Sequence, residues 1–232
     1  MPSGKKSKQA RRVAGPPPPV RAKGAGGQLS RRTIVIGGAV IALVALGVGL
    51  GIGLSGGGSK TPTTSGSVVD FSKLAGLQKG AQPWDNGAVY LQENLPIVHL
   101  SALTSEGSVL HIHQHLDVYV NGKPVTVPAS IGIFGSEFLT EMHAHDTSGI
   151  IHVESPTQRT FRLGQFFGEW DVLLSSTCLG RYCGHLHWWV NGKPQTGDPA
   201  NLALSQHAEI VIAVGKPPKH IPSTYAFAAH GV

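Results

Sequence analysis

"HIHQHLDVY", residues 111–119, decides how the rest of this chain reads. His111, His113, His115 and Asp117 stand at alternate positions, with Ile112, Gln114, Leu116 and Val118 between them. Strand side chains alternate faces, so the spacing predicts a β-strand carrying three imidazoles and a carboxylate on one side. Nothing in water aligns such a row, and on a buried face every unpartnered ring nitrogen would cost free energy. A shared metal ion meets both objections, since neutral imidazole is the commonest metal ligand.

The spacing recurs in "EMHAHDTSGIIHVE" (141–154), which reads as a hairpin turning at "DTSG" (146–149). A symmetric turn sets His143 opposite His152, His145 opposite Ile150, and Glu141 opposite Glu154. Directly opposed residues share a face, with Cβ atoms about 4.5–5.5 Å apart, which makes His143 and His152 a chelating pair. Two opposed glutamates would repel, and a nearby cation would relieve them. Asp117 shares the parity of the first trio, whereas Asp146 suits the first position of a turn. His185 and His187 form a further pair in "HLHWWV" (185–190).

The candidate metal ligands are therefore His111, His113, His115, His143, His145, His152, His185 and His187. Eight exceed one four-coordinate centre, so they imply two sites, or one site with other histidines orienting its ligands. The remaining histidines, His99, His207, His220 and His230, read as hydrogen-bonded or surface groups. Imidazole with carboxylate suits zinc, copper, nickel or iron, with zinc and copper leading.

The formal charge of +6 sits in a tail: residues 1–32 hold nine Lys and Arg and no acid. The other 200 residues carry ten basic and thirteen acidic groups, which excludes a phosphate-binding face and hence a nucleic-acid partner. Residues 1–32 read as a disordered cytoplasmic tail. "TIVIGGAVIALVALGVGLGIGL" (33–54) has no charge over 22 residues, long enough for a transmembrane helix through a lipid bilayer. Positive charge before the span predicts a single-pass membrane protein with its N-terminus inside and everything beyond residue 54 outside. Gly47, Gly51, Gly49 and Gly53 show small-xxx-small spacing, which suits a homodimer through the span. A Gly/Ser/Thr linker fills 55–67, and the exterior domain covers 68–232, divisible into halves 68–157 and 158–232.

That domain reads as mainly β (α+β). "HLDVYVNGKP" (115–124) and "HLHWWVNGKP" (185–194) agree at seven of ten positions, each a strand running into an Asn-Gly turn. Pro124 and Pro194 place the returning strands at an edge or delay them. Leu163, Phe166, Phe167 and Trp170 form one apolar helical stripe, and "HAEIVIAVG" (207–215) reads as a last strand. The order across 160–215 resembles a β-grasp unit. Cys178 and Cys183, on the oxidising side of a membrane, read as a disulfide. A Cys183 thiolate beside His185 and His187 would instead make a soft site for copper.

"HQHLDVYVNGKPVTVPASIGI" (113–133), "HAHDTSGIIHVESP" (143–156), "LGQFFGEW" (163–170) and "HLHWWVNGKP" (185–194) resemble segments of single-span, His-rich extracytoplasmic proteins of actinobacterial type. The resemblance implies the topology above and no activity. Three functions fit the residues. The first is a membrane-anchored module that captures or buffers zinc or copper. The second is a metal-dependent hydrolase with Glu141 or Glu154 as general base. The third is a structural or sensing ectodomain with a closed metal site. No H-E-x-x-H, G-x-S-x-G or Walker pattern occurs.

Overall fold

The chain enters the described region, residues 68–232 of a computed structural model, through a 3-10 turn at Phe71–Lys73 and helix α1 (Leu91–Val98). Twelve strands follow: β1 (Ala102–Leu103), β2 (Leu110–Val120), β3 (Lys123–Val125), β4 (Ile133–Phe134), β5 (Phe138–Thr140), β6 (Met142–His143), β7 (Ile150–Ser155), β8 (Cys178–Leu179), β9 (Tyr182–Cys183), β10 (Leu186–Val190), β11 (Lys193–Pro194) and β12 (Glu209–Val214). Helix α2 (Leu163–Glu169) lies between β7 and β8. The main sheet runs β11-β10-β12-β2-β7-β6, with β3 also paired to β2. A three-stranded sheet β1-β5-β4 and the β8-β9 hairpin complete the β structure. The tail, basic region, span and linker read at 1–67 lie outside the described residues. No helix among the described residues is long and apolar enough to cross a membrane.

Both Asn-Gly turns form as read. Asn121 and Gly122 have φ of 50° and 75°, and Asn191 and Gly192 have 51° and 73°. Positive φ at both central positions is the turn whose twist matches a tight hairpin. The returning strands β3 and β11 are three and two residues long, start directly after the turn, and each has one partner. The proline ladder gap therefore shortens them without delaying them.

The strands of the 160–215 run do not close a sheet of their own. β12 lies parallel to β2, with Glu209 opposite His115 and Val214 opposite Val120, and antiparallel to β10 on its other side. Between residue 160 and α2 there is no strand of the kind a β-grasp unit requires; Arg162 forms an isolated bridge to Ala203. Strands from both sides of residue 157 thus share one sheet. A central strand buried on both faces explains the apolar run "IVIAV".

One face of the sheet holds the core. Leu116, Val118, Val120, Ile151, Val153, Ile210, Ile212 and Val214 cluster with Leu163, Phe166, Phe167 and Trp170 of the second helix region. The sequence predicts one apolar stripe on α2, but every residue from Leu163 to Glu169 is buried. Gly164 and Gly168 make this fit: a Cβ there would meet Ala200 O at 2.9 Å and Val98 Cγ1 at 2.5 Å. Helix α1 carries Pro96 and only eight residues, so its periodicity is too short to read. Its Asn94 bonds Ala75 through both backbone groups and donates to Asp171 Oδ1 at 2.7 Å. The Cys178–Cys183 disulfide closes β8 onto β9, which removes the soft thiolate site.

Asp171 is 2% exposed, and burial pushes its carboxyl up to about 7, partly offset by the Asn94 hydrogen bond. The unfolded chain then holds fewer protons than the folded one between pH about 4 and 7, so this group's contribution falls as pH rises through that window. Asp171→Asn is expected to stabilise the domain by on the order of 2 kcal/mol at pH 7.5. Near pH 4 the difference should vanish, which paired thermal melts at the two pH values would measure.

Candidate metal centre

On the sheet face opposite the core, three neighbouring strands carry histidines in one row. His113 of β2 is paired with His152 of β7, and His152 with His143 of β6. The hairpin register read from the sequence is the one observed. A row across strands spaces groups by about 4.7–4.9 Å, within reach of imidazole rings. The ring centroids of His113 and His152 are 4.6 Å apart, and those of His143 and His152 are 5.4 Å apart.

Two residues along β2 from His113, His111 is paired with Glu154, whose side chain lies among the rings. Glu154 Oε1 is 3.1 Å from His152 Nδ1, 3.3 Å from His111 Nε2 and 3.9 Å from His113 Nε2. Its Oε2 lies 3.8 Å from His143 Nε2 and is buried without a hydrogen-bond partner among the described residues. His145 follows β6 and turns its Nε2 to within 3.2 Å of His143 Nε2. His111 and His113 bring their Nε2 atoms to the same separation, 3.2 Å. Ligand atoms about 2.0–2.1 Å from a tetrahedral ion stand about 3.3–3.4 Å apart, so both pairs fit coordination.

Five histidines and one glutamate therefore form two groups that could hold a metal ion: His143, His145, His152 and Glu154, and His111, His113 and Glu154. His113, His143 and Glu154 are buried, whereas the His111 and His145 side chains are half exposed and mark the solvent side. Burial, with His152 and His111 close by, lowers His113 to about 4; burial likewise lowers His143 to about 4. Both rings are neutral at pH 7, as ligands must be. His143 Nδ1 donates to the Thr140 carbonyl at 3.0 Å, which fixes the tautomer and turns the Nε2 lone pair into the site. Burial alone would raise Glu154, but the contacts with His152 and the other rings outweigh it and hold the carboxyl below its ordinary value.

Three expected ligands stand elsewhere. His115 Nδ1 lies 2.8 Å from Glu209 Oε2 and its Nε2 lies 2.9 Å from the Ser148 carbonyl. Burial opposes a charge on this ring, but the Glu209 contact prevails and raises His115 above its usual value. His115, Asp117 and Glu209 form a third group that could hold a metal ion, apart from the Glu154 pocket. His185 precedes β10, and His187 lies opposite Ala213, itself opposite Tyr119. Tyr119 is six residues from His113 on β2, so His187 shares the face but sits about 20 Å along the sheet. Both His185 and His187 are exposed.

Glu141 departs from its expected role. The chain bends between β5 and β6, and the carboxylate turns to Arg159, Ser155 Oγ at 2.8 Å and the Ser101 N–H at 3.0 Å. Arg159, rather than a metal ion, neutralises it. Asp146 accepts from the Ser148 N–H at 2.8 Å, as a turn residue does. The central part of Glu154 is less visible in sequence, although its position two after His152 is the available signal. Glu209 is marked only as a lone acid opening an apolar strand.

The C-terminal residues cover the neighbouring part of this face. Tyr225 stacks on His115 with centroids 3.7 Å apart, its hydroxyl meets His230 Nε2 at 2.7 Å, and Phe227 lies over His207. No protein-family model, curated protein or solved structure matches the chain. The geometry of the site therefore carries the functional reading by itself.

Tyr225→Ala removes a ring stacked on the His115 imidazole, a contact worth about 1 kcal/mol. Faster hydrogen exchange through residues 216–232 is the expected result, with protection of β2 and β7 unchanged.

Proposed function

We propose that this protein captures and holds zinc or copper through His111, His113, His143, His145, His152 and Glu154, outside a membrane to which residues 33–54 anchor it. The row His113–His152–His143, closed by a buried glutamate with an unpartnered oxygen, is the observation that carries the reading. Five imidazoles with one carboxylate make a nitrogen-rich donor set, which favours zinc and copper over magnesium or calcium. Half-exposed His111 and His145 supply an entry for the ion, while the buried members retain it. Capture is favoured over hydrolysis because Glu141 is tied to Arg159, and Glu154 is occupied as a ligand.

Elemental analysis of the full chain, purified without chelator, tests this. Bound zinc or copper is expected, lost by at least half in His113→Ala and in His143→Ala and unchanged in His187→Ala. Equal metal content in all four proteins would overturn the assignment. Acidification from pH 7 to 4 should release the ion, because protons compete for imidazole lone pairs. Chelator should lower the melting temperature, since an ion bound only by the folded chain stabilises it.

A further inference from the structure

The six groups of the pocket do not converge on one point. Ligand atoms on a single ion lie at most about 4.2 Å apart, twice a metal–nitrogen bond. Among the described residues, the pocket offers two sets of ligand atoms mutually within 4.8 Å: His111, His113 and Glu154, and His143, His145, His152 and Glu154. Only Glu154 belongs to both. Each set contains its own close Nε2 pair at 3.2 Å. The carboxylate spans the gap, with Oε1 at 3.3 Å from His111 Nε2 and Oε2 at 3.8 Å from His143 Nε2.

Deepening the metal-binding reading on which it rests, we propose that the centre is dinuclear, with two divalent transition-metal ions bridged by the Glu154 carboxylate. His111 and His113 serve one ion; His143, His145 and His152 serve the other. Two-metal sites hold their ions about 3.5–4 Å apart, a separation that one carboxylate bridges. The bridge gives Glu154 Oε2 the partner that the protein itself does not supply. It also gives the buried carboxylate two positive neighbours in place of the water it has lost.

Copper(II) titration of the full chain, followed by elemental analysis and electron paramagnetic resonance, tests the proposal. Two ions per chain are expected, with an ordinary signal at one equivalent. At two equivalents, lost intensity and a half-field transition would report coupling. His111→Ala and His145→Ala, at half-exposed positions, should each keep one ion and no coupling. Glu154→Gln, nearly the same shape, should abolish coupling even where ions remain. One ion per chain, lost in both histidine variants, would overturn the dinuclear centre and leave metal binding intact. Two uncoupled ions would also overturn the bridge. No bound ion in any protein would overturn both this proposal and the reading beneath it.

Discussion

Register between β2, β7 and β6 is the constraint on which the site depends. Side chains on a strand repeat every two residues, so a one-residue slip would send His113, His152 and His143 to opposite faces. Two features hold the register. Core residues Ile151, Val153, Leu116 and Val118 must all face the helices together, and the Asp146–Gly149 turn fixes β6 against β7. The histidine row is thus positioned by the apolar residues alternating with it, which bury their own surface for a separate reason.

Burying so many polar groups on the second face would be costly without compensation. The face resolves this in two different ways side by side. Around His115, the compensation is internal: Glu209, the Ser148 carbonyl and the Tyr225 ring contact the imidazole. Around Glu154, the rings of His113 and His143 stay neutral, and one carboxylate oxygen has no protein partner. Adjacent histidines of the same strand and parity therefore have different surroundings. His115 lies under Tyr225 of the C-terminal residues, and His113 lies in the Glu154 group.

Much of the fold was legible because its signals are local. Alternation in "HIHQHLDVY", the two Asn-Gly turns, the helix at α2 and the closely spaced cysteines all appear as read. Helix α1 was not, since eight residues with an internal proline give too few periods. The all-round burial of α2 was not legible either, because the approach of Ala200 and Val98 to Gly164 and Gly168 is a long-range contact. Within the site, the His143–His152 pairing was legible because one short turn fixes it. The separation of His115 from that pocket was not, because its partners Glu209 and Ser148 come from 94 and 33 residues away.

Residue order alone determined which side chains share a strand face, where the tight turns fall, and that imidazole ligands are abundant. Those properties depend on period and on backbone conformation over a few residues. Tertiary structure decided which histidines meet. The parallel pairing of β12 with β2 gave His115 a glutamate partner and carried His187 to the far end of the sheet. The bend before β6 assigned Glu141 to Arg159 and left Glu154 alone among the rings. Such choices turn on long-range pairing and on which buried charge finds a counter-charge, and neither is written in local spacing.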